Sequence, residues 1–127
     1  MEKPDEDEQL FNFAQNLMTM IDFSTFEKID LRVGTVLSVS DFPEAHKPAY
    51  QLKIDFGPLG ILQSSAQITA RYTKKTLVGK QVIAVVNIGT RQIANFLSQC
   101  LVLGATQDNE VVLLAPEKPL PNGQQIN

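Results

Sequence analysis

Five cations stand in a stretch of this sequence that carries no acid. From Phe56 to Gln107 the chain contains Arg71, Lys74, Lys75, Lys80 and Arg91, and neither aspartate nor glutamate. Arginine grips an oxyanion through a planar fork, and lysine acts as a mobile point charge. The chemistry on offer is recognition of an anion, phosphate above all, set against the plainer reading of a solvated charged face. Lys47 and Lys53, just upstream, extend the charge as a rim. Ser64, Ser65 and Gln67 bracket an expected strand-to-helix junction. Free backbone N–H groups at a helix start also face anions, although Ser65 could equally serve as an N-cap. Asn87 closes an apolar run and reads either as a loop-fixing hydrogen bonder or as a contact to a base and sugar. Arg91 follows in a loop with Gly89 and Thr90, as a phosphate ligand or a salt-bridged loop residue.

Other chemistries find fewer residues. His46 is the one histidine and Cys100 the one cysteine. An internal disulfide and a cysteine-rich zinc site are thereby excluded. His46 has no serine or carboxylate at motif spacing and reads as an exposed loop residue, while Cys100 reads as a small buried one. No glycine-rich phosphate loop is present. These residues describe a binding protein and not an enzyme, with no cofactor and no metal.

The net charge of −3 conceals an asymmetry. Glu2, Asp5, Glu6, Asp7 and Glu8 face only Lys3, so the first eight residues carry −4, and the remainder, with 9 acidic and 10 basic residues, carries +1. An acidic tail on a locally basic body leaves room for an anionic partner. At 127 residues, 43% hydrophobic and 20% charged, the chain suits a single globular domain. No uninterrupted apolar run exceeds five residues, the length of Val82 to Val86. A membrane-spanning helix needs about twenty. With an acidic N-terminus unlike a signal peptide, the expectation is a soluble cytoplasmic protein without membrane insertion.

The elements that must position these residues fall into two parts. Residues 1–22 form an acidic tail and an amphipathic helix, with Leu10, Phe13, Ala14, Leu17, Met18 and Ile21 at helical spacing from Asp7 to Asp22. Phe11 and Met20 broaden that face, which either covers the domain or meets a second subunit. Ser24 and Glu27 have the spacing of a capping box. Residues 23–127 form the strand-rich body. Period-two alternation predicts a long strand from Leu31 to Ser40, with Gly34 allowing a bend or bulge, and a second from Tyr50 to Phe56. Tyr50 or Phe56 could offer a stacking platform, although Phe56 also suits the core. A turn at Gly57–Gly60 and a third strand, Ile61–Ser65, complete a hairpin. A helix is expected over Ala66–Leu77, with Arg71, Lys74 and Lys75 sharing one surface. Gln81–Ile88 reads as a central strand. A polar loop, Leu101–Gly104, Val111–Leu114 and a turn at Asn122-Gly123 follow. Short antiparallel strands with one helix between the third and fourth predict a mainly β fold, a five-stranded OB barrel preceded by an amphipathic helix.

Phe26-Glu27-Lys28-Ile29-Asp30-Leu31-Arg32-Val33-Gly34 resembles the opening of the tRNA-binding OB domains. Those domains continue with a loop, a hairpin, a helix carrying tyrosine, and Gly-Lys before a valine-rich strand. Their counterparts here are Pro43–Pro48, Tyr50–Ser65, Arg71-Tyr72 and Gly79–Asn87. Ile54-Asp55-Phe56-Gly57, Gln63–Thr69, Arg91–Phe96, Val111–Leu114 and Pro121-Asn122-Gly123 are similar to the CsaA-like branch, the secretion-associated chaperones of this superfamily. At two places the chain departs from dedicated tRNA binders toward that branch. Ser98-Gln99-Cys100-Leu101 replaces Ser-Glu-Gly-Met, and His46–Leu52 replaces the loop pattern His-Pro-x-x-Asp-Lys-Leu. The resemblance covers Phe23 to the C-terminus; the preface lies outside it.

The resemblance implies a homodimer that binds tRNA and unfolded or presecretory polypeptides, or a purely structure-specific tRNA module acting on synthetase-bound tRNA. The expected nucleic-acid contacts are Lys47, Lys53, Ser64, Ser65, Gln67, Arg71, Lys74, Lys75, Asn87, Arg91 and Ser98. Ile93, Phe96 and Leu97 are the expected peptide groove, unless Ile93 and Phe96 turn inward and only fix the loop. The helical preface and Val111–Leu114 are expected near the dimer interface.

Overall fold

Alternation along the first strand sets the architecture. In β1 (Leu31–Asp41) Val33 is enclosed on one face, and Val36, three residues on, points from the other face into the core. β2 (Tyr50–Asp55) runs antiparallel beside it and buries Leu52 and Ile54 on the same side. β3 (Ile61–Ala66) pairs with β2 after a 3-10 turn at Gly57–Leu59. β4 (Gln81–Val85) pairs with the first half of β1, and β7 (Leu101–Val102) pairs with β4. The strand order is β3-β2-β1-β4-β7, and β10 (Gln125–Ile126) adds to the start of β1. The sheet curls into a nearly closed five-stranded barrel of the OB type, as its alternation predicts. The computed structural model describes residues 6–10 and 19–127. Among them, no helix is long and apolar enough to cross a membrane.

One backbone bond and several side-chain bonds close the last seam of the barrel, between β3 and the segment before β7. Gln99 N–H donates to the Gln63 carbonyl at 2.8 Å. Gln63 Nε2 donates to the Leu97 carbonyl at 2.7 Å, Ser65 N–H to Ser98 Oγ at 3.1 Å, and Ser64 Oγ to the Cys100 carbonyl at 3.0 Å. Buried hydroxyls are tolerated where they find partners, and Ser64 and Ser98 both do. Cys100 is buried here as expected; burial pushes its thiol up to about 11, against a smaller lowering by its hydrogen bond with Ser64.

Phe56, Leu52, Ile54, Leu77, Val36 and Val82 form the solvent-free centre. Gly34 is what lets them meet. A Cβ there would stand 2.6 Å from Ile54 Cγ2 and 2.7 Å from Phe56 Cε1. The bend or bulge expected at Gly34 lies further on, where the β1–β2 register slips between Val36 and Ser38.

Five expectations need correction. The helix over Ala66–Leu77 shrinks to one turn, Lys74–Leu77, still between β3 and β4. Ala66 ends a strand, and 67–73 is irregular because Ile68 and Tyr72 pack inward from it. Ser65 is therefore no N-cap: Thr73 is, exchanging bonds with Thr76. The helix Phe23–Glu27 is capped at Asp22, without a side-chain bond, and not at Ser24. The polar loop after β4 contains a hairpin, β5 (Arg91–Ile93) and β6 (Phe96–Ser98), and β8 (Gly104–Gln107) pairs with β9 (Glu110–Leu113) in a second. The preface helix is seen at residues 6–10, but 19–22 is turn and irregular chain. Phe11, Phe13, Ala14, Leu17 and Met18 lie outside the described residues.

Candidate nucleic-acid interface

The loop after β1, the end of β3, the β5–β6 hairpin and β9 surround a cleft of about 430 Å³. Its walls are aliphatic: Ile68, Ile93, Leu101, Val102, Val111 and Leu113. Lys47, Arg91, Ser65 and Gln67 line it as well, together with His46. No lining residue is a carboxylate. An OB barrel presents its ligand face on strands two and three and the loops after strands one and four. The loop carrying His46 and Lys47 and the hairpin carrying Arg91 and Ile93 occupy those loop positions. The Phe42 and Phe96 rings, 5.4 Å apart and tilted by 59°, fasten the hairpin to the loop.

Four of the eleven expected nucleic-acid residues, Lys47, Ser65, Gln67 and Arg91, thus meet in one cleft. Lys53 stands on the outer face of β2, between Ser38 and Gln63 of the neighbouring strands. Ser64 and Ser98 are held in the barrel seam. Asn87 takes the loop-fixing role, accepting from Asp30 N–H at 2.9 Å and donating to the Lys28 carbonyl at 2.7 Å. Arg71, Lys74 and Lys75 do not share a helix face. Arg71 pairs with Glu110 at 2.8 Å and Lys74 with Asp41 at 2.7 Å. Both acids lie outside the acid-free stretch, so a local charge count overstates its free charge. The hydrogen bond to Asp41 and its negative charge hold the Lys74 ammonium above its ordinary value. Lys75 is exposed and, among the described residues, has no ion pair.

The apolar candidates divide. Ile93 and Phe96 face each other across the hairpin, while Leu97 pairs with Gln92 on the other side. Ile93 lines the cleft, Phe96 packs on Phe42, and Leu97 is half exposed. Phe56 is fully buried and offers no stacking face. Tyr50 Oη donates to the Tyr72 carbonyl at 2.8 Å. Reasoning on the sequence missed His46 and the aliphatic walls from β7 and β9. The signal for the β9 wall was the turn Asp108-Asn109, where both residues have positive φ (52° and 64°), as a two-residue hairpin requires.

The family model described as "Putative tRNA binding domain" matches residues 31–125, and the chain belongs to that family. Within it the protein is CsaA-like. The crystal structure of chaperone CsaA from Bacillus anthracis str. Ames is 49% identical, with a TM-score of 0.83, over 86% of this chain and 100% of that one. The CsaA chaperone protein from Picrophilus torridus is 53% identical, with a TM-score of 0.80, over 85% and 100%. The methionine–tRNA ligase of Methanococcus aeolicus is 37% identical over 109 residues, which is 86% of this chain and 16% of the ligase. The chain thus spans only a small part of the ligases it matches.

Proposed function

We propose that this protein binds tRNA, without catalysis, in the cleft between the loop after β1 and the β5–β6 hairpin. One observation carries the reading: the cleft brings Lys47 and Arg91 together beside Ser65 and Gln67 and admits no carboxylate. Two cations on a wall free of negative charge suit a phosphate backbone, which supplies most of the affinity in such complexes. Lys53 and Lys75 extend the contact. Recognition is then by the shape of a folded RNA and not by base sequence.

The aliphatic walls favour a second activity at the same place, holding apolar segments of unfolded or presecretory polypeptides. The CsaA relatives are titled chaperones, which supports it. Competition tests both readings together. Unlabelled tRNA is expected to displace a labelled, chemically unfolded protein from the chain. RNA binding should weaken steeply with salt, and polypeptide binding much less. Salt-independent tRNA binding would sink the phosphate reading, and additive binding of both ligands would separate the surfaces.

The protein acts, on this reading, as a cytoplasmic homodimer. Met20, Ile21 and Phe23 are 65%, 63% and 73% exposed, and Val112 and Leu114 also face outward. Such apolar exposure is characteristic of an interface. Sedimentation at micromolar concentration is expected to show a dimer that weakens when residues 1–22 are removed; a monomeric full chain would contradict this.

A further inference from the structure

We infer that Tyr72 is a positioning residue: it latches the β8–β9 hairpin in place as one wall of the cleft. The inference rests on the cleft being the binding site. β8 and β9 form a two-stranded sheet that joins no ladder of the barrel. A lone hairpin is marginally stable in water, so its attachments decide where it stands. At its base, Leu103 N–H donates to the Ile83 carbonyl at 2.9 Å and Leu114 N–H to the Leu103 carbonyl at 3.1 Å. Two further polar ties come from two consecutive residues of the loop after β3. Arg71 Nε reaches Glu110 Oε2 at one end of β9 at 2.8 Å. Tyr72 Oη accepts from Leu113 N–H at the other end at 2.9 Å.

Between those two ties lies Val111, which with Leu113 lines the cleft. The latch itself is anchored. The Tyr72 side chain packs against the core, and its carbonyl accepts from Tyr50 Oη at 2.8 Å. The same loop supplies Gln67 and Ile68 to the cleft. One segment therefore contributes its own side chains to the site and sets the distance to the wall formed by β9. Of the two ties, Tyr72 is the stronger candidate, because the Arg71 pair is two-fifths exposed and exposed ion pairs contribute little.

Tyr72→Phe in the full chain removes only Oη and keeps the packed ring. Native-state hydrogen exchange should show protection falling about 3- to 10-fold from Val111 to Leu113, the range for one lost hydrogen bond, and unchanged in β1 and β4. The dissociation constant for tRNA should rise by about the same factor, with the salt slope unchanged because Lys47 and Arg91 remain. Unchanged protection in β9 would overturn the latch. An equal loss of protection in β1 and β4 would also overturn it, since Tyr72 would then only stabilise the fold. Loosened β9 with unaltered tRNA binding would overturn the positioning role, provided Lys47→Ala and Arg91→Ala do weaken binding. If those two variants bind tRNA normally, the RNA reading fails instead, and the exchange result still decides the latch.

Discussion

Replacing Lys47 and Arg91 together by alanine is expected to weaken tRNA binding about 100-fold at low salt. A hydrogen bond to a charged group contributes about 1.5 kcal/mol or more, so two lost contacts amount to about 3 kcal/mol. The two residues come from different loops but line one cleft with no opposing carboxylate. Each phosphate contact also releases counterions, so the slope of log affinity against log salt should fall by roughly 0.7 to 0.9 per residue. Arg71→Ala should cost much less. Its guanidinium is already paired with Glu110, and any phosphate must compete with that carboxylate. A double variant with unchanged affinity and slope would remove the cleft from the RNA interface.

Phe56→Ala is expected to destabilise the fold by about 3–5 kcal/mol, the usual range for truncating a buried aromatic. Phe56 is fully enclosed, and its ring stands where a Cβ on Gly34 would collide. The loss is a large share of the roughly 5–15 kcal/mol that holds a small domain together. Chemical denaturation measures it directly. A loss below about 1 kcal/mol would mean that the barrel collapses onto the cavity and that its packing is not as tight as described.

The parts of the fold that were legible are those where one periodicity explains every residue. β2 alternates cleanly, β1 alternates except at its register slip between Val36 and Ser38, and the run Val82 to Val86 demands cover on both faces; all three strands stand where they are expected, although β4 ends at Val85. The segment 67–73 shows the limit. Ile68, Tyr72 and Leu77 have helical spacing, yet each is drawn inward from a different local conformation, and Thr69 and Thr73 are poor helix formers. The β5–β6 hairpin was illegible for another reason. Its turn opens with Ala94 at φ 51°, a conformation that usually advertises itself by glycine or asparagine. The site was legible as charge and opaque as geometry. Lys47, Ser65, Gln67 and Arg91 stand out by type. Nothing local says that Arg71 and Lys74 find Glu110 and Asp41, or that Val111 and Leu113 return to wall the cleft.

Photochemical cross-linking of the full chain to tRNA, with the attached peptides identified by mass spectrometry, tests the central claim most directly. Cross-links are expected on the segments 45–49, 65–68 and 91–93, which line the cleft, and on Lys53 beside it. Cross-links confined to the surroundings of Lys80 and Glu117, which line a separate hollow with Thr35 and Pro119, would contradict the account.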